Sequence, residues 1–440
     1  MSGPTVILIS GRDPQRYFDC AHCGYVRIHA YAATLAGYDV HVLCLDRNER
    51  VEATSYGTVH AVKTKFRMVR QNMVPLHSPV LAQAVEQLAT TFGPTPIIIH
   101  GFGVWGHTAV HACRRLKNRG MRCVSLVSSY TTYLDESMSQ WRGLIPENGP
   151  LIAAKTALEQ AWISAVISRY ELDGYRNADR ILVNYRTVEK LIKFRFGADL
   201  RCDVIPCTIE REFERQQSDA CRTSLARNSP PVILSIARHN PRKGIDVLLH
   251  ALQITKQSGC LFSAHLVGGG PLLDTHRRLL ERLQLSDCIT IHGRVSRVDD
   301  YLDNADIFVL PSREEQSGSL ALLEAMRAGV ACVASGCDGI PEDVTHKREA
   351  WLTVPGDAAS LAEGIVSLVK DKSLRERLAL AGQKTFEHRF SGVAFVKVLG
   401  GLYRELVEND RNHCRWDDGE SALNASDRAP FQVPMAARLN

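Results

Sequence analysis

The stretch PSREEQSGSLALLEAMRAG, residues 311–329, decides the fold. The apolar run Ile307-Phe308-Val309-Leu310 before it reads as a short buried strand that stops at Pro311. Ser317-Gly318-Ser319 makes a polar loop of small residues, and Leu320 to Met326 is a run of strong helix formers. Strand, small-residue loop and helix, in that order, is how α/β proteins present free backbone amides to an anion. Glu324 then falls early in the helix, within reach of a ligand's hydroxyl groups.

Working outward, the second half repeats the pattern. Apolar strands are expected at 232–236, 263–267, 289–291 and 330–334, with helices at 244–256 and 272–283 between them. The first half shows strands at 6–9, 40–45, 97–99 and 124–127, with a helix over 26–35. Such continuous apolar strands separated by helices imply parallel sheets covered on both faces. Residues 210–230 turn polar and charged and end in Pro230-Pro231, which reads as an interdomain linker. The expected organisation is a first α/β domain at 1–208, a linker at 209–230 and a second, doubly wound domain at 231–385. A C-terminal helix at 386–411, with the first domain as its candidate packing partner, and a frayed tail at 412–440 complete the chain. A cleft is expected between the strand C-termini of the two domains.

Composition narrows the classes of function. At 440 residues the chain is too long for one core. A net charge of +5 is too small for a nucleic-acid binder, and leaves only a weak attraction to anionic surfaces. No apolar run reaches the roughly 18 residues that span a bilayer, and 4–9 lacks the basic flank of a signal peptide. The segment 151–170 reads as a surface helix, with a membrane-facing or acceptor-facing helix as the alternative. Several of the 13 cysteines sit inside apolar runs, as free thiols do in a reducing cytosol. The expected location is cytoplasmic, or peripheral at the inner face of a membrane. Cys20-Ala21-His22-Cys23 is a single C-x-x-C, too little for a four-ligand metal site.

The chemistry-bearing residues cluster after strands. Arg238 and Lys243 follow the strand at 232–236, where two fixed cations suit a diphosphate; a solvated basic loop is the alternative. Gly268-Gly269-Gly270 lets the chain turn sharply or approach a ligand. His292-Gly293-Arg294-Val295 offers backbone groups to a base.

These segments together resemble retaining glycosyltransferases of family four. ARHNPRKGIDVLLHAL, HLVGGGPL, ITIHGRV, NADIFVLPS and SGSLALLEAMRAGVACVAS follow in that family's order and cover most of 231–344. The resemblance implies the GT-B fold, two Rossmann-like domains with a nucleotide-sugar held mainly by the second. By the same resemblance Arg238 and Lys243 bind the donor diphosphate and Glu324 holds the ribose. The backbone of Ser319, Leu320 and Ala321 meets phosphate and sugar, and Arg294 and Val295 lie by the base. In the first half, Gly24 resembles a glycine of the loop that approaches the diphosphate, and His100 resembles a histidine beside the transferred sugar. His107, on the following helix, reads as structural.

The chain departs from the family's pattern in three places. Counting back from Glu324 to the family's first glutamate lands on Gln316, with Glu315 one residue off as a substitute if the loop shifts. A glutamine hydrogen-bonds sugar hydroxyls but brings no charge. Ser128-Ser129-Tyr130 stands where many members have a histidine, and Pro206-Cys207-Thr208 where many have Asn-Gly. The resemblance implies transfer of a sugar from a nucleotide-diphosphate-sugar to an acceptor hydroxyl, with retained configuration. No Asp-x-Asp motif stands in a fitting loop, since Asp299-Asp300 falls at a helix start, so no required metal or other cofactor is expected. A sugar phosphorylase, a nucleotide-sugar epimerase and a non-catalytic nucleotide-sugar-binding subunit remain open. The acceptor, the donor's base and sugar, and the oligomeric state are not legible.

Overall fold

The computed structural model describes residues 4–17, 21–65, 70–141, 149–197, 199–213 and 230–413. The segments 214–229, within the expected linker, and 414–440, within the expected tail, lie outside the described residues. Apolar strands that can satisfy their backbone only by pairing gather into two sheets. The first holds β1 (Thr5–Ile9), β2 (Asp39–Asp46), β3 (Arg50–Thr54), β4 (Gly57–Lys63), β5 (Ile97–Phe102), β6 (Cys123–Ser129), β7 (Arg180–Val183) and β8 (Cys202–Val204). Its order is β3-β4-β2-β1-β5-β6-β7-β8, parallel except for the β3–β4 hairpin. The second holds β9 (Val232–Ile236), β10 (Ser263–Val267), β11 (Ile289–Gly293), β12 (Ile307–Leu310), β13 (Ala331–Ser335) and β14 (Trp351–Thr353). Its order is β11-β10-β9-β12-β13-β14, parallel throughout.

The strand order of the second sheet reverses between β9 and β12, which pair at Ile307↔Ile233 and Phe308↔Leu234. Loops leaving two such strands diverge to opposite faces and open a crevice between them. Both strands are anchored by side chains shut away from water, among them Leu234, Phe308 and Val309. Burial on that scale, at about 25 cal/mol per Å² of apolar surface, makes the crevice floor rigid.

The C-terminal end differs from the single helix expected at 386–411. One helix spans Lys372–Arg389 and a second spans Gly392–His413. Phe390 leaves helical geometry, and Ser391 Oγ accepts from Ala394 N at 3.3 Å, starting the second helix. Residue 385, taken as a domain edge, therefore lies inside a helix, and Phe386 and Phe390 pack in the second half with Met326. Phe395, Leu399, Leu402, Tyr403 and Leu406 cross to the first half and pack on helix Ala21–Leu35 through Val26, Ala30 and Ala33. The helix read over 151–170 runs as Gly149–Trp162, a π-helical turn at Ile163–Ile167, and Ser168–Asn177. No helix among the described residues is long and apolar enough to cross a membrane.

Candidate functional site

The crevice at the β9–β12 reversal is lined by the loops that leave the strand C-termini. After β9 the chain runs through Arg238 to a tight turn, Pro241–Lys243, in which the Asn240 side chain accepts from Lys243 N at 3.2 Å. Gly244 then adopts φ 61°, and a Cβ there would lie 2.1 Å from the carbonyl oxygen of Pro311. Only glycine permits this conformation and this approach, so the loop after β9 is pressed against the loop after β12. The glycine loop after β10 joins them, with His239 N donating to Gly269 O at 2.9 Å. The backbone thus packs three loops into one unit.

Within that unit the charges are distributed unevenly. Lys243 Nζ donates to Glu315 Oε2 at 2.5 Å, and the two side chains are 14% and 4% exposed. Ser312 Oγ donates to the same carboxylate. Burial pulls the Lys243 ammonium below its ordinary range, and Glu315 opposes that pull. Arg238 is different: it is exposed, and its guanidinium has no hydrogen bond or ion pair among the described residues. Ser319 caps helix Leu320–Arg327, its hydroxyl accepting from Leu322 N at 3.4 Å. Leu320 N and Ala321 N, in the first turn, have no protein acceptor among the described residues. Glu324 is half-buried one turn further on, Arg294 is exposed after β11, and Val295 is half-buried against the β12 cluster. An exposed guanidinium and helix-start amides without protein acceptors among the described residues are groups that can receive an anion.

The loop carrying Gln316 meets the first half. Asp338 Oδ2 accepts from the backbone N–H of both Glu315 and Gln316 at 2.6 Å, and Gln316 sits at φ 69°. Gln316 Nε2 donates to the carbonyl oxygen of Asp135 at 2.7 Å, and Ser139 Oγ donates to Glu314 Oε2 at 2.7 Å. The neighbours divide the work: Glu315 balances Lys243 and Gln316 reaches across.

Two first-half expectations need correction. His100 does not reach the crevice. It is fully buried, with Nδ1 2.8 Å from Tyr403 Oη and Nε2 2.7 Å from Ser128 Oγ. Burial holds its ring well below the ordinary histidine pKa, with His29 adding to the effect. Both nitrogens are satisfied, so nothing remains to meet a sugar. Gly24 is not in a loop but in the first turn of helix Ala21–Leu35, beside the Arg27–Glu210 pair. Cys23 is buried in that turn, and Cys20 lies outside the described residues.

Sequence reading missed the contacts that join the halves. Tyr185 Oη donates to Asp343 Oδ2 at 2.8 Å, where burial raises the Asp343 carboxyl to about 7. Glu342 accepts from Arg186 N and Thr187 N at 2.8 Å and so caps helix Arg186–Phe196 from the other half. The only local signal was that helix's start, where Tyr185 offers no side-chain cap. One His/Asp group, His107, His111 and Asp173, has the spacing of metal ligands, and none of its members belongs to these loops.

Comparison with known proteins covers both halves. Residues 25–213 match the family described as Glycosyltransferase Family 4, and residues 217–385 the family described as Glycosyl transferases group 1. The amylovoran biosynthesis glycosyltransferase AmsK of Erwinia amylovora is 34% identical over 189 residues, 41% of this chain and 46% of that protein. N-acetyl-alpha-D-glucosaminyl L-malate synthase of Bacillus anthracis is 30% identical over 147 residues, 33% of this chain and 38% of that protein. The matches thus span about half the length of these relatives or less. Among solved structures, sucrose-phosphate synthase of Thermosynechococcus elongatus superposes with a TM-score of 0.67 at 21% identity, over 92% of this chain and 100% of that one. Anabaena HepE in complex with UDP superposes with a TM-score of 0.62 at 17% identity, over 91% and 100%.

Proposed function

The chain belongs to the group 1, family 4 glycosyltransferases and has their GT-B fold; from that premise we propose that it moves a sugar from a nucleoside-diphosphate donor to an acceptor hydroxyl with retention of configuration. The observation that carries this reading is that Arg238, after β9, and the backbone amides of Leu320 and Ala321, after β12, follow the two strands at the order reversal and have no partner among the described residues. The donor diphosphate lies against that guanidinium and those amides. Lys243, fixed by Glu315, adds a second positive charge from beneath. Glu324 takes the ribose hydroxyls, and Arg294 and Val295 flank the base. The HepE structures hold UDP and UDP-glucose, ligands of the class this reading expects.

As the bond between the anomeric carbon and the diphosphate breaks, negative charge grows on the leaving oxygens, where Arg238, Lys243 and the amides stabilise it. A phosphate oxygen takes the acceptor's proton while the new glycosidic bond forms on the same face. Positive charge on the sugar is met by the diphosphate, because Gln316 orients a hydroxyl without supplying charge. Closure of Gln316 and Glu314 on Asp135 and Ser139 keeps water from the donor. No metal takes part in this scheme.

A thermal-shift panel of nucleoside diphosphates and their sugars, followed by NMR of the product, tests this reading. The expected result is one donor class that raises the Tm and a product that keeps the donor's anomeric configuration. Turnover that requires inorganic phosphate, or binding without turnover, would replace it with a phosphorylase or a non-catalytic subunit.

A further inference from the structure

Two histidines one helical turn apart face a carboxylate from a neighbouring helix. His107 and His111 occupy i and i+4 on helix Gly106–Lys117, and such residues lie on one face. Their rings are 4.1 Å apart between centroids. Asp173, on helix Ser168–Asn177, turns one oxygen to both: Oδ2 is 2.7 Å from His107 Nδ1 and 3.0 Å from His111 Nε2. The three donor atoms all lie within 4.8 Å of one another. We propose that His107, His111 and Asp173 form a binding site for a divalent cation of zinc type, which clamps these two helices together and takes no part in sugar transfer.

The donor set and its support both point this way. Two imidazoles and a carboxylate suit Zn²⁺ or Co²⁺, and leave a fourth tetrahedral position to water. Bonds of about 2.0–2.1 Å to a tetrahedral ion put neighbouring donor atoms about 3.3 Å apart. The two nitrogen-to-oxygen distances, 2.7 and 3.0 Å, need to open by only a few tenths of an ångström. Asp173 is already oriented, since Asn177 Nδ2 donates to its other oxygen, Oδ1, at 2.9 Å. An outer partner of this kind fixes which carboxylate oxygen faces the ion. The helices are also pressed together here, because a Cβ at Gly174 would lie 2.9 Å from His107 N. The side chains of His107, His111 and Asp173 are 18%, 31% and 34% exposed, so an ion and its water can enter from solvent.

Equilibrium titration of the full chain, stripped with chelator and desalted, with Zn²⁺ by calorimetry and with Co²⁺ by visible absorption tests the proposal. The chain carries other histidines and cysteines, so the comparison with variants decides. The expected result is a saturable site of one equivalent, with a Co²⁺ spectrum of tetrahedral intensity and a Tm that rises with Zn²⁺. His111→Ala and Asp173→Asn should each weaken that site at least tenfold and abolish the Tm rise. His111 is partly exposed, and circular dichroism verifies that each variant stays folded. Failure of the chain to take up either ion would overturn the proposal. So would binding of unchanged affinity and stoichiometry in both folded variants.

Discussion

β5 and β9 each border the point where their sheet reverses order, β5 across it from β1 and β9 across it from β12, and each bears a nitrogen-rich side chain near its C-terminal end, His100 inside β5 and Arg238 two residues past β9. At β9 that side chain is Arg238, exposed and without a partner among the described residues. At β5 it is His100, closed over by Tyr403 and Ser128 and shut from water. Closeness to an order reversal therefore supports two outcomes. In the second half the buried Lys243 is held by Glu315, while Arg238 stands exposed without a partner among the described residues. In the first half the crossing C-terminal helix supplies Tyr403 and spends the capacity of His100 on packing. A strand end becomes a site where the fold leaves hydrogen-bonding capacity unspent, not merely where the topology points.

The largest effect should come from breaking the buried pair on the second-half side. Lys243→Ala leaves the Glu315 carboxylate buried with Ser312 as its remaining side-chain partner, which should cost about 3–5 kcal/mol in chemical denaturation. Adding Glu315→Gln should recover most of that loss. A single variant as stable as the parent would mean that the pair does not organise the loops.

On the first-half side, Tyr403→Phe strands the Nδ1 of His100 inside the core. A loss of about 1–3 kcal/mol is expected, with nucleotide affinity unchanged. A large loss of affinity would return His100 to the site and erase the contrast.

The contact between the halves gives a smaller, pH-dependent effect. The Asp343 carboxyl is raised from its ordinary 3.8 to about 7, by burial first, with Glu342 adding and Tyr185 and Arg389 opposing. Between those values the folded chain keeps a proton that the unfolded chain has lost. Its contribution to stability is full below pH 3.8 and disappears as pH rises through about 7. Glu171, raised by burial to about 8, acts in the same direction. Asp343→Asn should flatten the fall of Tm from pH 5 to pH 8, whereas an unchanged slope would show that Asp343 ionises freely.

The strands β9, β10 and β12 were legible to the residue, because parallel strands buried on both faces read as unbroken apolar runs. The hairpin strand β3, RVEAT, was not, since it is short, polar and mostly exposed. Helix Ala358–Lys370 was passed over although Asp357 caps it. The places of Arg238 and Lys243 after β9, of Ser319 at the start of the helix after β12 and of Glu324 within that helix could be read because each follows its strand in the local sequence. Pairings formed across the chain could not. Lys243 and Glu315 are 72 residues apart, Tyr185 and Asp343 158, and His100 and Tyr403 303. A histidine that follows an apolar run looks the same in sequence whether a distant tyrosine covers it or not.

The contrast reduces to a single binding measurement. Calorimetric Kd values for the nucleoside diphosphate selected by thermal shift are to be compared among the parent, Arg238→Ala and His100→Asn. Arg238→Ala should weaken binding at least tenfold, as loss of a charge-assisted contact of about 1.5–3 kcal/mol requires. Folded His100→Asn should stay within about twofold of the parent, on the scale where tenfold is about 1.4 kcal/mol. Unchanged binding in Arg238→Ala, or a tenfold loss confined to His100→Asn, would contradict the account.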